Sequence, residues 1–166
     1  MNKVLYIILI SLFSLTIISC AKKSSTSSNT TTSGAVTTVA GTGSTGSANG
    51  TGTSASFYNP AGITRDGTNL YVADHNNHLI RKIVISTGAV TTVAGTGSSG
   101  SADNTTGTSA SFNGPTGITT DGTNLYVADG NNHLIRKIVI STGAVTTVAG
   151  TGSSGSADNT TGTSAS

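Results

Sequence analysis

Residues Asn69–Gly100 read NLYVADHNNHLIRKIVISTGAVTTVAGTGSSG, and residues Asn124–Gly155 read NLYVADGNNHLIRKIVISTGAVTTVAGTGSSG. The tail of this stretch occurs a third time, earlier, as GAVTTVAGTGSTG from Gly34. Working outward, the two full copies are Phe57–Ser111 and Phe112–Ser166, 55 residues each. They differ at five aligned pairs only: Tyr58/Asn113, Asn59/Gly114, Ala61/Thr116, Arg65/Thr120 and His75/Gly130. A period of this length marks a repeat array, in which one supersecondary unit is stacked on its own copies.

Each copy carries four motifs in the same order. These are P-x-G-I (Pro60–Ile63 and Pro115–Ile118), LYVAD (Leu70–Asp74 and Leu125–Asp129), NHLIRKI (Asn77–Ile83 and Asn132–Ile138) and a trailing VTTVAG. Together they resemble the NHL repeat, a β-propeller blade named for the tripeptide seen here as Asn77-His78-Leu79 and Asn132-His133-Leu134. The resemblance covers most of residues 34–166. It implies an all-β propeller of four-stranded antiparallel blades. It also implies a role in binding proteins, RNA or small ligands, with a few enzymes among the relatives.

Within the first copy, turn chemistry places the strands. Strand a spans Gly62–Arg65, and Asp66-Gly67-Thr68-Asn69 forms a turn. Strand b is Leu70–Ala73, and Asp74–Asn77 turns again. Strand c is His78–Ile85, Ser86-Thr87-Gly88 turns, and strand d is Ala89–Ala94. Ile83-Val84-Ile85 is apolar on both faces, which suits a sheet held between two others. Gly34–Gly41 is β-branched and bounded by glycines, so it is expected as an orphan strand d. The polar stretch after each strand d, GTGSSGSADNTTGTSAS, lacks apolar residues and is expected as a mobile loop on one face.

The predicted organisation is therefore a signal peptide over 1–19, a tether over 20–33, an orphan strand and loop over 34–56, and blades over 57–111 and 112–166. The opening MNKVLYIILISLFSLTIISC has one cation, Lys3, ahead of a short apolar run from Val4 to Ile18. That run has the layout of a secretory signal and is shorter than the ~20 residues that span a bilayer. Ile17-Ile18-Ser19-Cys20 resembles a bacterial lipobox, which implies a lipid on Cys20 and a location at the bacterial cell envelope. Cys20 is the only cysteine, so no disulfide forms within the chain. Ala21–Ser33 is mostly Ser and Thr, the composition of a flexible tether.

Removal of residues 1–19 takes Lys3 away and leaves seven Lys and Arg against six Asp, a near-neutral chain. That balance does not favour a polyanionic partner, and no nucleic-acid partner is predicted. Gly95, Gly97 and Gly100 fit G-x-G-x-x-G after a strand, but SADNTTGTS cannot form the helix that a dinucleotide site needs. His75 and His78 form H-x-x-H in one copy only and are read as solvated turn residues, not metal ligands. Asp103 and Asp158 are read as lone loop charges.

Asp74 and Arg81 recur as Asp129 and Arg136. Presence in every repeat points to framework pairs, with Asp74 capping the b–c turn and meeting Arg81 across the hairpin or on the next blade, of the exposed kind that contributes little. The chain has no Glu, Gln or Trp, a thin repertoire for acid–base work or for anchoring a partner. The resulting prediction is a lipid-anchored, exported, non-catalytic binding or scaffold module. Its ligand would be a protein or a carbohydrate, it would use no metal or cofactor, and further blades would come from a longer chain. The alternatives are part of a propeller lyase or lactonase-like hydrolase, or a structural surface or adhesion repeat.

Overall fold

The computed structural model describes residues 34–164. Cys20, the signal-peptide reading and the tether reading all lie outside the described residues. The described chain holds nine strands in two antiparallel sheets. The first sheet contains β1 (Gly50–Thr51), β2 (Pro60–Arg65), β3 (Asn69–Asp74), β4 (Leu79–Val84) and β5 (Ala89–Ala94), in the order β1-β5-β4-β3-β2. The second contains β6 (Pro115–Thr120), β7 (Asn124–Asp129), β8 (Leu134–Val139) and β9 (Val145–Ala149), in the order β6-β7-β8-β9. Each copy of the repeat is thus one four-stranded meander, and the pair forms part of a β-propeller.

The turns explain the meander. Asp66 Oδ1 accepts hydrogen bonds from the backbone N–H groups of Thr68 and Asn69 at 2.9 and 2.7 Å. Gly67 sits at φ +105°, a conformation that few other residues tolerate. The resulting register sets Arg65 opposite Leu70. After β3, His75–Asn77 makes a single 3-10 turn and His78 adopts the left-handed region at φ 56°. That reversal returns the chain as β4, with Asp74 opposite Leu79 and Val72 opposite Arg81.

β2 lies against β6, and β3 lies against β6 as well, so the two sheets approach most closely at their first strands. Gly62 permits this approach, because a Cβ there would collide with the Thr116 carbonyl oxygen. Between the sheets, Tyr71, Ala73, Ile80 and Ala94 of the first pack against Leu125, Val127, Ile138 and Val145 of the second. Phe112 and Ala110 close the outer part of this layer. A second, smaller cluster of Ala55, Val72, Ile83 and Val90 lies on the opposite face of the first sheet, with Ala40, Phe57 and Leu70 at its margin.

Two expectations change. Gly34–Gly41 forms no strand, and the first sheet gains its fifth strand from Gly50–Thr51, paired with Ala89 and Val90. A strand needs a ladder partner, and the described residues offer Gly34–Gly41 none. The polar loop is not a free appendage either. Gly95 N–H donates to the Gly107 carbonyl, Gly100 N–H to the Phe112 carbonyl, and Asn104 and Val145 exchange a pair of backbone hydrogen bonds. Residues 95–111 therefore leave the first blade and are tied down on the second, as residues 41–56 are on the first. Backbone hydrogen bonding replaces the apolar packing that the composition lacks.

Candidate functional site: the arginine hubs and the histidine turn

The recurrent acid–base pair forms a buried polar cluster in each blade. Arg81 Nη1 and Asp74 Oδ2 stand 2.9 Å apart, and Arg136 Nη1 and Asp129 Oδ2 stand 2.9 Å apart. All four side chains are fully buried. The pairs were expected at the surface; burial follows because the crossing loop lies over them.

In the second blade Arg136 donates from Nη1 to the Ser111 carbonyl and from Nη2 to the Ala102 carbonyl, each at 3.0 Å. Asp103, predicted to be a lone charge, accepts from Arg136 Nη2 at 2.7 Å and from Nε at 3.2 Å. Asp129 Oδ1 accepts from the Asn113 backbone N–H, and Asn132 Nδ2 bridges Asp129 to the Gly100 carbonyl. The guanidinium also lies over the Phe112 ring, 5.1 Å from its centroid, a cation–π arrangement. One arginine thus holds the middle and the far end of the crossing loop to the blade beneath it.

The first blade repeats the plan with one change. Arg81 donates to the carbonyls of Ser56 and Ala48 and lies 5.1 Å over Phe57. Asn77 Nδ2 reaches the Gly46 carbonyl and Asp74. At the position of Asp103, however, stands Asn49, whose Oδ1 accepts from Arg81 Nη2 at 2.9 Å. Arg81 Nε is buried without a partner among the described residues.

His75 and His78 are half-buried against the second blade rather than solvated. His78 Nδ1 accepts from the Gly114 backbone N–H at 3.0 Å, which requires that this nitrogen carry no proton. His75 Nδ1 lies 3.2 Å from the Pro115 carbonyl oxygen, an acceptor only, so this nitrogen is the donor. One imidazole thus accepts at Nδ1 and the other donates there, and both hold the start of the next blade. Among the described residues no group of three His, Cys, Asp or Glu side chains is placed to hold a metal ion.

At the other rim, each strand a–b turn carries an ionised network. Hydrogen bonds from Asn69, with Thr68 and Tyr71 adding to them, pull the Asp66 carboxyl well below the usual range against the opposing effect of burial. Desolvation, aided by the hydrogen bond to Asp66, pushes Tyr71 up to about 12. Asn124 lowers Asp121 in the same way, and Asp121 in turn raises Tyr126. These are the Asx turns that set the hairpins, present in both blades.

Outside the hubs, the first blade presents an apolar hollow of about 390 Å³, walled by Phe57, Leu70, Val72 and Ile83 of the sheet and by Val39 and Ala40. No motif predicts it. It exists because the face that in the second blade is covered by a neighbouring sheet is covered here only by residues 38–57. Among the described residues, no helix is long and apolar enough to cross a membrane.

Residues 57–83 and 112–138 match the NHL repeat family model. Over 101 residues the chain is 40% identical to the human NHL repeat-containing protein 2, a match that takes in 58% of this chain and 14% of that protein. Two solved structures share the fold. One, an auxiliary nutrient binding protein from Bacteroides ovatus, aligns with a TM-score of 0.51 at 28% identity, over 63% of this chain and 26% of its own. The other, an auxiliary nutrient binding protein from Bacteroides thetaiotaomicron, aligns with a TM-score of 0.52 at 28% identity, over 63% of this chain and 26% of its own. The chain therefore spans about a seventh of its curated relative and about a quarter of each solved structure.

Proposed function

With two NHL repeats in its chain, the protein is, we propose, a non-catalytic binding or scaffold module held at the bacterial cell envelope by a lipid on Cys20. Its propeller is completed by further blades, and its ligand is a protein or a carbohydrate. The observation that carries this reading is how the recurrent ionisable residues are used. Asp74, Arg81, Asp129 and Arg136 are buried and paired with one another, so their charges hold loops instead of facing a substrate. What each blade leaves for a ligand is hydrogen-bonding rim and apolar surface, the means of recognition and not of bond cleavage. Two structural neighbours carry nutrient-binding names, and this supports a binding role for the shared architecture.

Calorimetric titration of the lipid-anchored chain with envelope oligosaccharides, beside affinity capture from detergent-solubilised envelope, tests the binding role. Saturable binding that leaves the ligand intact is the expected result. Turnover of the ligand would overturn the non-catalytic reading. For the anchor, Cys20→Ala should abolish incorporation of labelled fatty acid and leave the precursor uncleaved. Unchanged labelling in that variant would remove Cys20 from the account.

A further inference from the structure

Asn49 is the residue of the first hub that does not fit it. Asp103, at the same place in the second blade, accepts from Arg136 Nη2 at 2.7 Å and from Nε at 3.2 Å, and its Oδ2 accepts from the Thr147 backbone N–H at 2.9 Å. Asn49 Oδ1 accepts from Arg81 Nη2 at 2.9 Å and from Thr92 Oγ1 at 3.5 Å. Its other terminal atom is an amide nitrogen, a donor that offers nothing to an N–H group. Arg81 Nε is buried and has no partner among the described residues. An aspartate at position 49 would give the first hub the acceptors that the second hub has.

The residue after Asn49 is Gly50. Asn followed by glycine is the step most open to self-cyclisation, because glycine sets no Cβ in the path of its own nitrogen towards the preceding side-chain amide. Asn49 is exposed, so water reaches it. Gly50 lies in β1, a two-residue strand at the edge of its sheet, and opening of that strand is a local event of low cost. Packing keeps the glycine in place, since a Cβ there would lie 2.9 Å from the Ser54 carbonyl oxygen. The other Asn-Gly step of the chain, Asn113-Gly114, is enclosed. Gly114 is buried, its N–H donates to His78 Nδ1 at 3.0 Å, and Asn113 Oδ1 accepts from Asn131.

We propose that Asn49 is a self-modification site, which deamidates in the folded protein to aspartate and so completes the first arginine hub. The Gly50 nitrogen gives up its proton and bonds to Asn49 Cγ. The Cγ–Nδ2 bond breaks, and ammonia leaves with a proton from solvent. Water then adds to Cγ of the cyclic imide, and the bond from Cγ to the Gly50 nitrogen breaks. That restores the Gly50 N–H and leaves a carboxyl group. One water is consumed, one ammonia is released, and nothing is oxidised or reduced. Arg81 Nη2, already on Oδ1, polarises the Cγ carbonyl in both steps. Water therefore enters at Cγ rather than at the main-chain carbonyl, and the product is aspartate rather than isoaspartate. The new charge stands at the open edge of the hub, as Asp103 does with its side chain 45% exposed. This inference rests on the geometry of the hubs and on neither the ligand nor the lipid anchor.

Ageing of the full chain in detergent micelles near neutral pH tests it. Peptide mass spectrometry reads conversion of amide to acid at each asparagine, and electron-transfer fragmentation separates aspartate from isoaspartate. In the folded chain Asn49 should convert faster than Asn113 by about tenfold or more, with aspartate as the main product. Ageing in urea should remove both the preference for Asn49 and the excess of aspartate. The aged chain and the fresh Asn49→Asp variant should share a raised urea midpoint, the folding equilibrium shifting by about tenfold, the effect of one hydrogen bond to a buried charge. Conversion of Asn49 no faster than that of Asn113 in the folded chain would overturn the proposal. So would isoaspartate as the main product, or an Asn49→Asp variant no more stable than wild type.

Discussion

At the scale of single residues, burial decides what a charge contributes. The Asp129–Arg136 pair is fully buried, and Asp129 also accepts from Asn113 and Asn132. Asp129→Asn would turn an amide N–H toward donors on Arg136 and Asn132 and leave the guanidinium without its inner counter-charge. A cost of about 3 kcal/mol is expected, in the range for breaking a buried pair and well above that of a surface pair. Urea unfolding followed by far-UV circular dichroism measures it, and a cost below ~1 kcal/mol would mean that water reaches the hub. Asp66 and Asp121 act differently, because their carboxylates are held ionised by Asn69 and Asn124. Their folded pKa values are lowered, so the stability they contribute is complete above the ordinary carboxylate value of ~3.9 and is lost as pH falls below it. Melting temperature should decline as pH falls below about 4. The double variant Asp66→Asn, Asp121→Asn should decline less steeply.

At the scale of elements, copies of one sequence meet different surroundings. β3 and β7 both read NLYVAD, yet Tyr71 is buried while Tyr126 is half-exposed. Gly62 and Gly117 occupy the same position in β2 and β6. A Cβ on Gly62 would collide with the Thr116 carbonyl, whereas on Gly117 it would meet only Ala128 Cβ at 3.7 Å. Gly62→Ala should therefore push the sheets apart and cost about 1–3 kcal/mol, the usual range for overpacking. Gly117→Ala should be neutral, or stabilising by a few tenths of a kcal/mol through the unfolded chain. Thermal melts of the two variants side by side provide the comparison, and equal effects would show that the β2–β6 approach is looser than described. The substitution Asn59/Gly114 has a backbone cause. Both residues lie at positive φ, 54° and 62°, where Asn and Gly are the residues most readily accommodated.

At the scale of the whole molecule, a covering sheet decides what a repeat position contributes. Ile80 and Ile135 are the same repeat position, the first buried completely and the second 41% exposed. Burial of such a side chain contributes roughly 1.5–3 kcal/mol. Ile80→Lys adds the desolvation of a charge to that loss and should unfold the junction between the blades. Ile135→Lys should leave the melting temperature within about 2 °C of wild type, since surface substitutions usually act within ±0.5 kcal/mol. Thermal melts of the two variants side by side check this, and equal effects would overturn it.

The repeat, the four strands of each copy, the turns at Asp66 and Asp121 and the pairing of Asp with Arg were legible from residue identities, while the choice between a pair across the hairpin and one on the next blade was not. These are local matters: a turn needs its Asp and Gly, and hydrophobic runs a few residues apart must share a sheet. The arginine hubs were half legible, since recurrence pointed to a framework while nothing local said that the pairs are buried. Burial depends on the crossing loop, whose contribution comes from backbone carbonyls and Asp103, and composition carries no sign of backbone hydrogen bonding. The histidine clamp was not legible at all, because its partners are backbone groups of Gly114 and Pro115 on the next blade. Strand assignment for Gly34–Gly41 failed for the same reason, as β-branched residues favour a ladder but cannot provide its other side. The sequence by itself determined the elements and their order. Tertiary structure alone decided which of two identical side chains is core and which is surface, because burial belongs to the neighbour that covers a residue and not to the residue.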